Sequence, residues 1–154
     1  MRSLPNRHLQ LRAQRYVRYV DDFVLIHSDA EQLEVWQGKI GHYLSEHLRL
    51  ALKPGAKLLP LERGIDFLGY VIYPTHTVVR RRVIGHARAK LAAWERRHVR
   101  RGNVIADQDT LDALRSTWAS YSGHFRHANS RRLVRRFAER FPWLRQAEEQ
   151  KANQ

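Results

Sequence analysis

Cysteine is absent from the 154 residues. That excludes disulfides, thiolate nucleophiles and cysteine-ligated zinc. Apolar runs are short: none reaches the roughly 18 residues of a membrane-spanning helix, so no membrane partner is expected. The start, Met1-Arg2-Ser3-Leu4-Pro5-Asn6-Arg7-His8, has no apolar stretch of the secretory kind, which makes the cytoplasm the expected compartment. Acidic residues are scarce too. Fifteen Asp and Glu face 28 Lys and Arg, for a net charge of +13 and a pI of about 11.0. Such an excess attracts polyanions, because each neutralised phosphate releases condensed counterions. Nucleic acid is the leading expectation. A generally basic surface, an acidic protein partner and an anionic membrane surface are the alternatives.

What is present begins with Tyr16-Val17-Arg18-Tyr19-Val20-Asp21-Asp22-Phe23-Val24-Leu25-Ile26. Two runs of β-branched and aromatic residues flank adjacent carboxylates, which reads as a β-hairpin over Arg15 to His27 with Asp-Asp at its turn. Aspartate is also an ordinary turn residue. A pair of carboxylates at a hairpin tip suits Mg²⁺, a hard cation held by one or two carboxylates together with substrate phosphates. Adjacent strand residues face opposite ways, so Asp21 is expected to be the principal ligand and Asp22 a weaker or structural one.

Downstream, Leu33, Trp36, Ile40, Leu44 and Leu48 fall on one helical face, with Ser28 or Asp29 as the N-cap. Leu50 to Leu52 reads as a short strand, Lys53 to Lys57 as a turn, and Leu58 to Leu61 as an extended run. Ile65 to Tyr73 reads as a strand pair or kinked strand, with Gly69 permitting a bulge or close backbone approach. Thr75 to Val79 is an extended link. From Arg80 the pattern is helical. Three apolar stripes follow: Ile84, Ala87, Leu91, Trp94; then Leu111, Leu114, Trp118, Tyr121, Phe125; then Val134, Phe137, Phe141, Leu144. Gly102-Asn103 is the expected stop of the first and Asp109 with Asp112 the expected N-cap pair of the second. Arginines crowd the other faces. The expected class is α+β: a hairpin, a helix and short antiparallel strands, then a basic three-helix bundle.

Tyr19-Val20-Asp21-Asp22 resembles the Tyr-x-Asp-Asp box of reverse transcriptases, the metal-binding hairpin of the polymerase palm. Phe67-Leu68-Gly69-Tyr70 resembles the primer grip of that family. The phrase Ser120-Tyr121-Ser122-Gly123-His124-Phe125-Arg126-His127-Ala128-Asn129-Ser130-Arg131-Arg132-Leu133 resembles the thumb of bacterial and phage enzymes of the diversity-generating retroelement type. The likeness spans about Arg15 to Leu144, in the family's order. It implies residues 15–79 as the C-terminal part of a palm and 80–146 as a helical thumb, after a loop or disordered 1–14 and before a frayed 147–154.

The resemblance also implies RNA-directed DNA polymerase chemistry. Asp21 and Asp22 would hold Mg²⁺, two ions in the complete enzyme, with Mn²⁺ a possible substitute. Polymerases use such ions roughly 3.5–4 Å apart to clamp the attacking and leaving oxygens. Lys57, or Lys53 in second place, would sit near the incoming triphosphate; a solvated turn lysine is the plain alternative. Phe67, Leu68, Gly69 and Tyr70 would support the primer. Arg80, Arg81, Arg82, Arg88, Lys90, Arg126, Arg131, Arg132 and Arg135 would contact phosphates. His124 and His127, three apart, suit packing or hydrogen bonding better than a metal, for want of a third ligand. Implied partners are template RNA, the RNA/DNA duplex, a small basic accessory protein, and the fingers and first palm half that carry a further Asp. Only 14 residues precede Arg15, and none is Asp or Glu. The chain alone is therefore expected not to polymerise. A non-catalytic RNA-binding module and an intron maturase-like remnant are the alternatives.

Overall fold

The computed structural model describes Leu11, Ala13, residues 15–56 and residues 58–149. Lys57, most of the expected N-terminal loop and most of the expected tail lie outside the described residues. The class is α+β, with five α-helices and small antiparallel sheets among those residues. The chain divides into two compact units, Met1–Pro60 and Leu61–Gln154. The junction expected at residue 79 falls inside the second unit, because the short strands belong with the helices.

In the first unit, β1 (Arg15–Tyr19) pairs antiparallel with β2 (Asp22–Ile26), Tyr19 opposite Asp22. Helix α1 spans Ala30–Leu48. Asp29 caps it, its carboxylate accepting from Glu31 N–H at 2.9 Å, while Ser28 stays outside. Arg49 turns left-handed (φ 52°) and ends the helix. Trp36, Ile40 and Leu11 are buried, with Leu25, Leu33, Leu44 and Leu52 packed around them. Leu50 to Leu52, expected as a strand, joins no ladder. Leu52 goes into this core instead.

In the second unit a 3₁₀ turn (Leu61–Arg63) takes up the end of the expected extended run. Strands β3 (Ile65–Phe67), β4 (Tyr70–Ile72) and β5 (Thr77–Val79) form a meander. Thr75 to Val79 is thus more than a link, since Val79 is buried and its strand pairs with β4. Helix α2 covers Arg81–His98. It stops short of Gly102-Asn103, because Arg101-Gly102 forms the turn of a small hairpin, β6 (Val99–Arg100) with β7 (Asn103–Val104). Helix α3, Gln108–Arg126, is capped by Asp107 rather than by Asp109 and Asp112. The Asp107 carboxylate accepts from Thr110 N–H at 2.8 Å.

The third stripe is two helices, α4 (Arg131–Arg140) and α5 (Trp143–Glu149). Pro142 divides them: it pushes the preceding residue out of the α region, and Phe141 sits at φ −127°, ψ 65°. The helical part is therefore four helices, not three. Ala147, expected in a frayed tail, is buried on α5. The core gathers Phe125, Phe137, Phe141, Trp143, Leu91 and Leu114. Trp94 stacks on Trp143 (4.7 Å, 21°), and the Trp143 indole donates to Glu95 at 2.8 Å.

Candidate hairpin site and basic helices

The tip of the first hairpin is two residues long. Tyr19 and Asp22 close it as a strand pair, so Val20 and Asp21 form the loop. Only Val20 has a positive φ of 53°, the pattern of a turn whose first position favours glycine. A β-branched residue there is strained. Val20 is also 69 % exposed, so no packing pulls it into that conformation. Asp21 therefore sits in the loop and Asp22 at the start of β2. Both carboxylates are exposed.

Asp22 is paired. Its Oδ1 lies 3.0 Å from the Lys53 ammonium. The Asp22 carboxylate, by hydrogen bond first and charge second, holds the Lys53 amine above the ordinary lysine range. Lys53 is delivered by an anchored segment. Leu52 packs into the core beside it, and Ala56 N–H donates back to the Lys53 carbonyl at 3.0 Å, closing the turn over Pro54-Gly55. Gln37 of α1 reaches the Ala56 carbonyl at 3.5 Å. Sequence reasoning put Lys57 first and Lys53 second. Lys57 lies outside the described residues, and Lys53 is the lysine that meets a tip carboxylate.

Two exposed carboxylates on consecutive residues match the protein's usual share of a Mg²⁺ site. Among the described residues, no three His, Asp or Glu side chains gather as a metal-binding group. Two carboxylates are fewer oxygens than a hard cation takes.

In the second unit, Phe67 and Tyr70 pair across β3 and β4, and Leu68-Gly69 is the loop between them. Both loop residues have positive φ, 51° and 84°, as a tight two-residue hairpin turn requires. Leu68 projects outward, 41 % exposed.

The predicted phosphate-binding residues differ in their surroundings. Arg80 pairs with Asp66 at 2.8 Å, Arg135 with Glu139 at 3.4 Å, and Lys90 lies over the Tyr121 ring, 5.9 Å from its centre. Arg81, Arg82 and Arg88 on α2, Arg126 at the end of α3, and Arg131 and Arg132 on α4 are exposed. None of these six has an ion-pair partner among the described residues, a state in which arginine is available to phosphate. Helix α4 is the most basic element, with five arginines in ten residues, and Phe137 on its apolar side is buried in the core.

Among the described residues, His124 and His127 belong to no group of three metal-ligating side chains. His124 instead stacks on Tyr70, the use that packing predicts. Sequence reasoning missed Asn129, which ties the α3–α4 loop to β5 through Thr77. Its only advance signal is an Asn just after a helix, and that is common. No family model matches the chain, and no curated protein matches it either.

Proposed function

We propose that this chain carries the carboxylate hairpin and the duplex-binding helices of a prokaryotic reverse transcriptase. One observation carries the reading: Tyr19-Val20-Asp21-Asp22 folds as a two-residue-loop hairpin, presenting two exposed carboxylates with a lysine set against one of them. In this reading residues 15–79 are palm and the helices from Arg81 onward are thumb. Asp21 and Asp22 would hold Mg²⁺, which when bound supplies charge neutralisation for a triphosphate and a more acidic primer hydroxyl. Asp21, in the loop, makes no ion pair among the described residues, though its charge also acts on Lys53. Lys53 is placed to exchange Asp22 for a phosphate oxygen, as a compact point charge does readily. The arginines of α2 and α4 hold the nucleic-acid backbone without reading sequence.

Two carboxylates alone leave a two-ion site short of ligands. The chain by itself is therefore expected to be inactive. Primer extension on an RNA template tests this, with the chain alone and with the chain co-expressed beside the polypeptide encoded upstream of it. Extension is expected only in the second case, and Asp21→Asn abolishes it. Extension indifferent to Asp21→Asn overturns the reading.

A second reading is favoured by the Lys53–Asp22 pair, which already neutralises one carboxylate. It is a non-catalytic RNA-binding module. It predicts salt-sensitive RNA binding that is unchanged by Asp21→Asn and by Mg²⁺, and no extension in any combination.

A further inference from the structure

A groove of about 660 Å³ opens in the second unit where α3, α4 and α5 meet. Trp118, Val134, Phe141 and Leu144 supply its apolar lining. Phe141 and Leu144 are buried, while Trp118 and Val134 are only partly covered. Trp118 is fixed in place by two rings, Phe137 at 5.7 Å and Phe125 at 6.4 Å. An anchored aromatic ring left partly open costs little entropy to bind against, and tryptophan with arginine is the pairing enriched where protein partners bind most strongly.

Three arginines line the same groove: Arg126 at the end of α3, Arg131 at the start of α4 and Arg145 on α5. All three are exposed, and none makes an ion pair among the described residues. The lining contains no Asp or Glu. Its two serines are already used, Ser122 donating to the Ala119 carbonyl at 3.3 Å and Ser130 to the Phe125 carbonyl. The groove therefore offers an apolar surface and three unanswered positive charges. A nucleic-acid duplex supplies anions, but its bases are stacked inside and leave the apolar lining in water. A second copy of this chain carries the same +13 charge and is repelled. The small basic protein that the resemblance implies has the wrong sign. A segment with apolar side chains on one face and carboxylates beside them answers both halves of the groove.

We propose that the α3–α4–α5 groove is a docking site for an acidic amphipathic segment of a partner protein, seated on Trp118 and Val134 and ion-paired with Arg126, Arg131 and Arg145. The proposal is independent of the polymerase reading. The test uses the full chain and two labelled peptides followed by fluorescence anisotropy. One carries leucine on one helical face and glutamate on the other; its scrambled isomer keeps the charge and loses the apolar face. The first is expected to bind about tenfold or more tighter than the second. Arg131→Gln combined with Arg145→Gln is expected to weaken it about fivefold or more, as two lost ion pairs do. Arg96→Gln with Arg97→Gln removes the same charge from exposed positions of α2 outside the groove. That pair leaves the affinity within about twofold. In nuclear magnetic resonance the Trp118 indole N–H signal is expected to move with the first peptide and to stay put with its isomer. Equal binding of the two isomers, or binding unaltered by Arg131→Gln with Arg145→Gln, overturns the proposal, because net charge alone produces either result. Failure of the first peptide to bind at up to roughly 1 mM overturns it too. Single-stranded RNA is the rival probe, since bases stack on tryptophan. If RNA moves the Trp118 signal and the peptide does not, the groove belongs to nucleic acid and the proposal falls.

Discussion

Val20 holds a left-handed conformation that glycine would adopt without strain. Such strain amounts to about 1–3 kcal/mol, and glycine gives back roughly 0.5–1 kcal/mol through its freedom in the unfolded chain. Val20→Gly should therefore protect the β1–β2 amides from hydrogen exchange by a net 0.5–2 kcal/mol, on the order of these two terms. Unchanged or weaker protection would mean that the valine is relaxed. Gly69 presents the converse case. Its φ is 84°, and a methyl group would crowd His124 at 3.1 Å and Val83 at 3.3 Å. Gly69→Ala should lower stability by about 1–3 kcal/mol in a thermal melt. Phe125 is wholly buried and packs on Trp118 and Phe137. Phe125→Ala should lower stability by about 3–5 kcal/mol, through lost contacts and the cavity left behind.

The elements show which parts of the fold sequence alone could reach. Hairpin and first helix were legible, because the β-branched and aromatic runs around Asp-Asp and the Leu33–Trp36–Ile40–Leu44 stripe are strong signals. The N-cap of α1 was legible to within one residue. Asp29→Ala should lower stability by about 1 kcal/mol in chemical denaturation. Elements set by tertiary pairing were not legible. Strand β5 looks like a link until β4 lies beside it, and Leu50 to Leu52 looks like a strand until Leu52 is seen in the core. Pro142 was a local signal outweighed by the regular spacing of Phe137, Phe141 and Leu144. At the site, the carboxylate pair was legible as chemistry. Lys53 was second choice because its approach to Asp22 depends on where α1 delivers the chain.

For the whole molecule, charge governs behaviour. Burial opposes ionisation of Glu95, yet the Arg140 guanidinium and the Trp143 indole N–H outweigh it and hold the carboxyl below the ordinary glutamate range. A depressed carboxyl contributes stability that is present above the unfolded-state value, near 4.5. That contribution is lost as pH falls through the lower folded value. Denaturation series between neutrality and strong acid should show this loss below that value, and Glu95→Gln should remove that part of the pH dependence. Nucleic-acid affinity should fall linearly with the logarithm of salt concentration, by about 0.9 per phosphate contacted. Replacing Arg81, Arg82 or Arg88 singly should flatten that slope by about one contact each.

The measurement that bears most directly on the proposed function is a Mn²⁺ titration followed by electron paramagnetic resonance, with wild type, Asp21→Asn, Asp22→Asn and Lys53→Met compared in the presence of a nucleoside triphosphate. The hairpin reading predicts binding by the wild type, loss with Asp21→Asn, weakening with Asp22→Asn, and binding retained with Lys53→Met once its ammonium no longer competes for Asp22. Equal binding in wild type and both aspartate variants would contradict it, and the two carboxylates would then be no more than the turn of a hairpin.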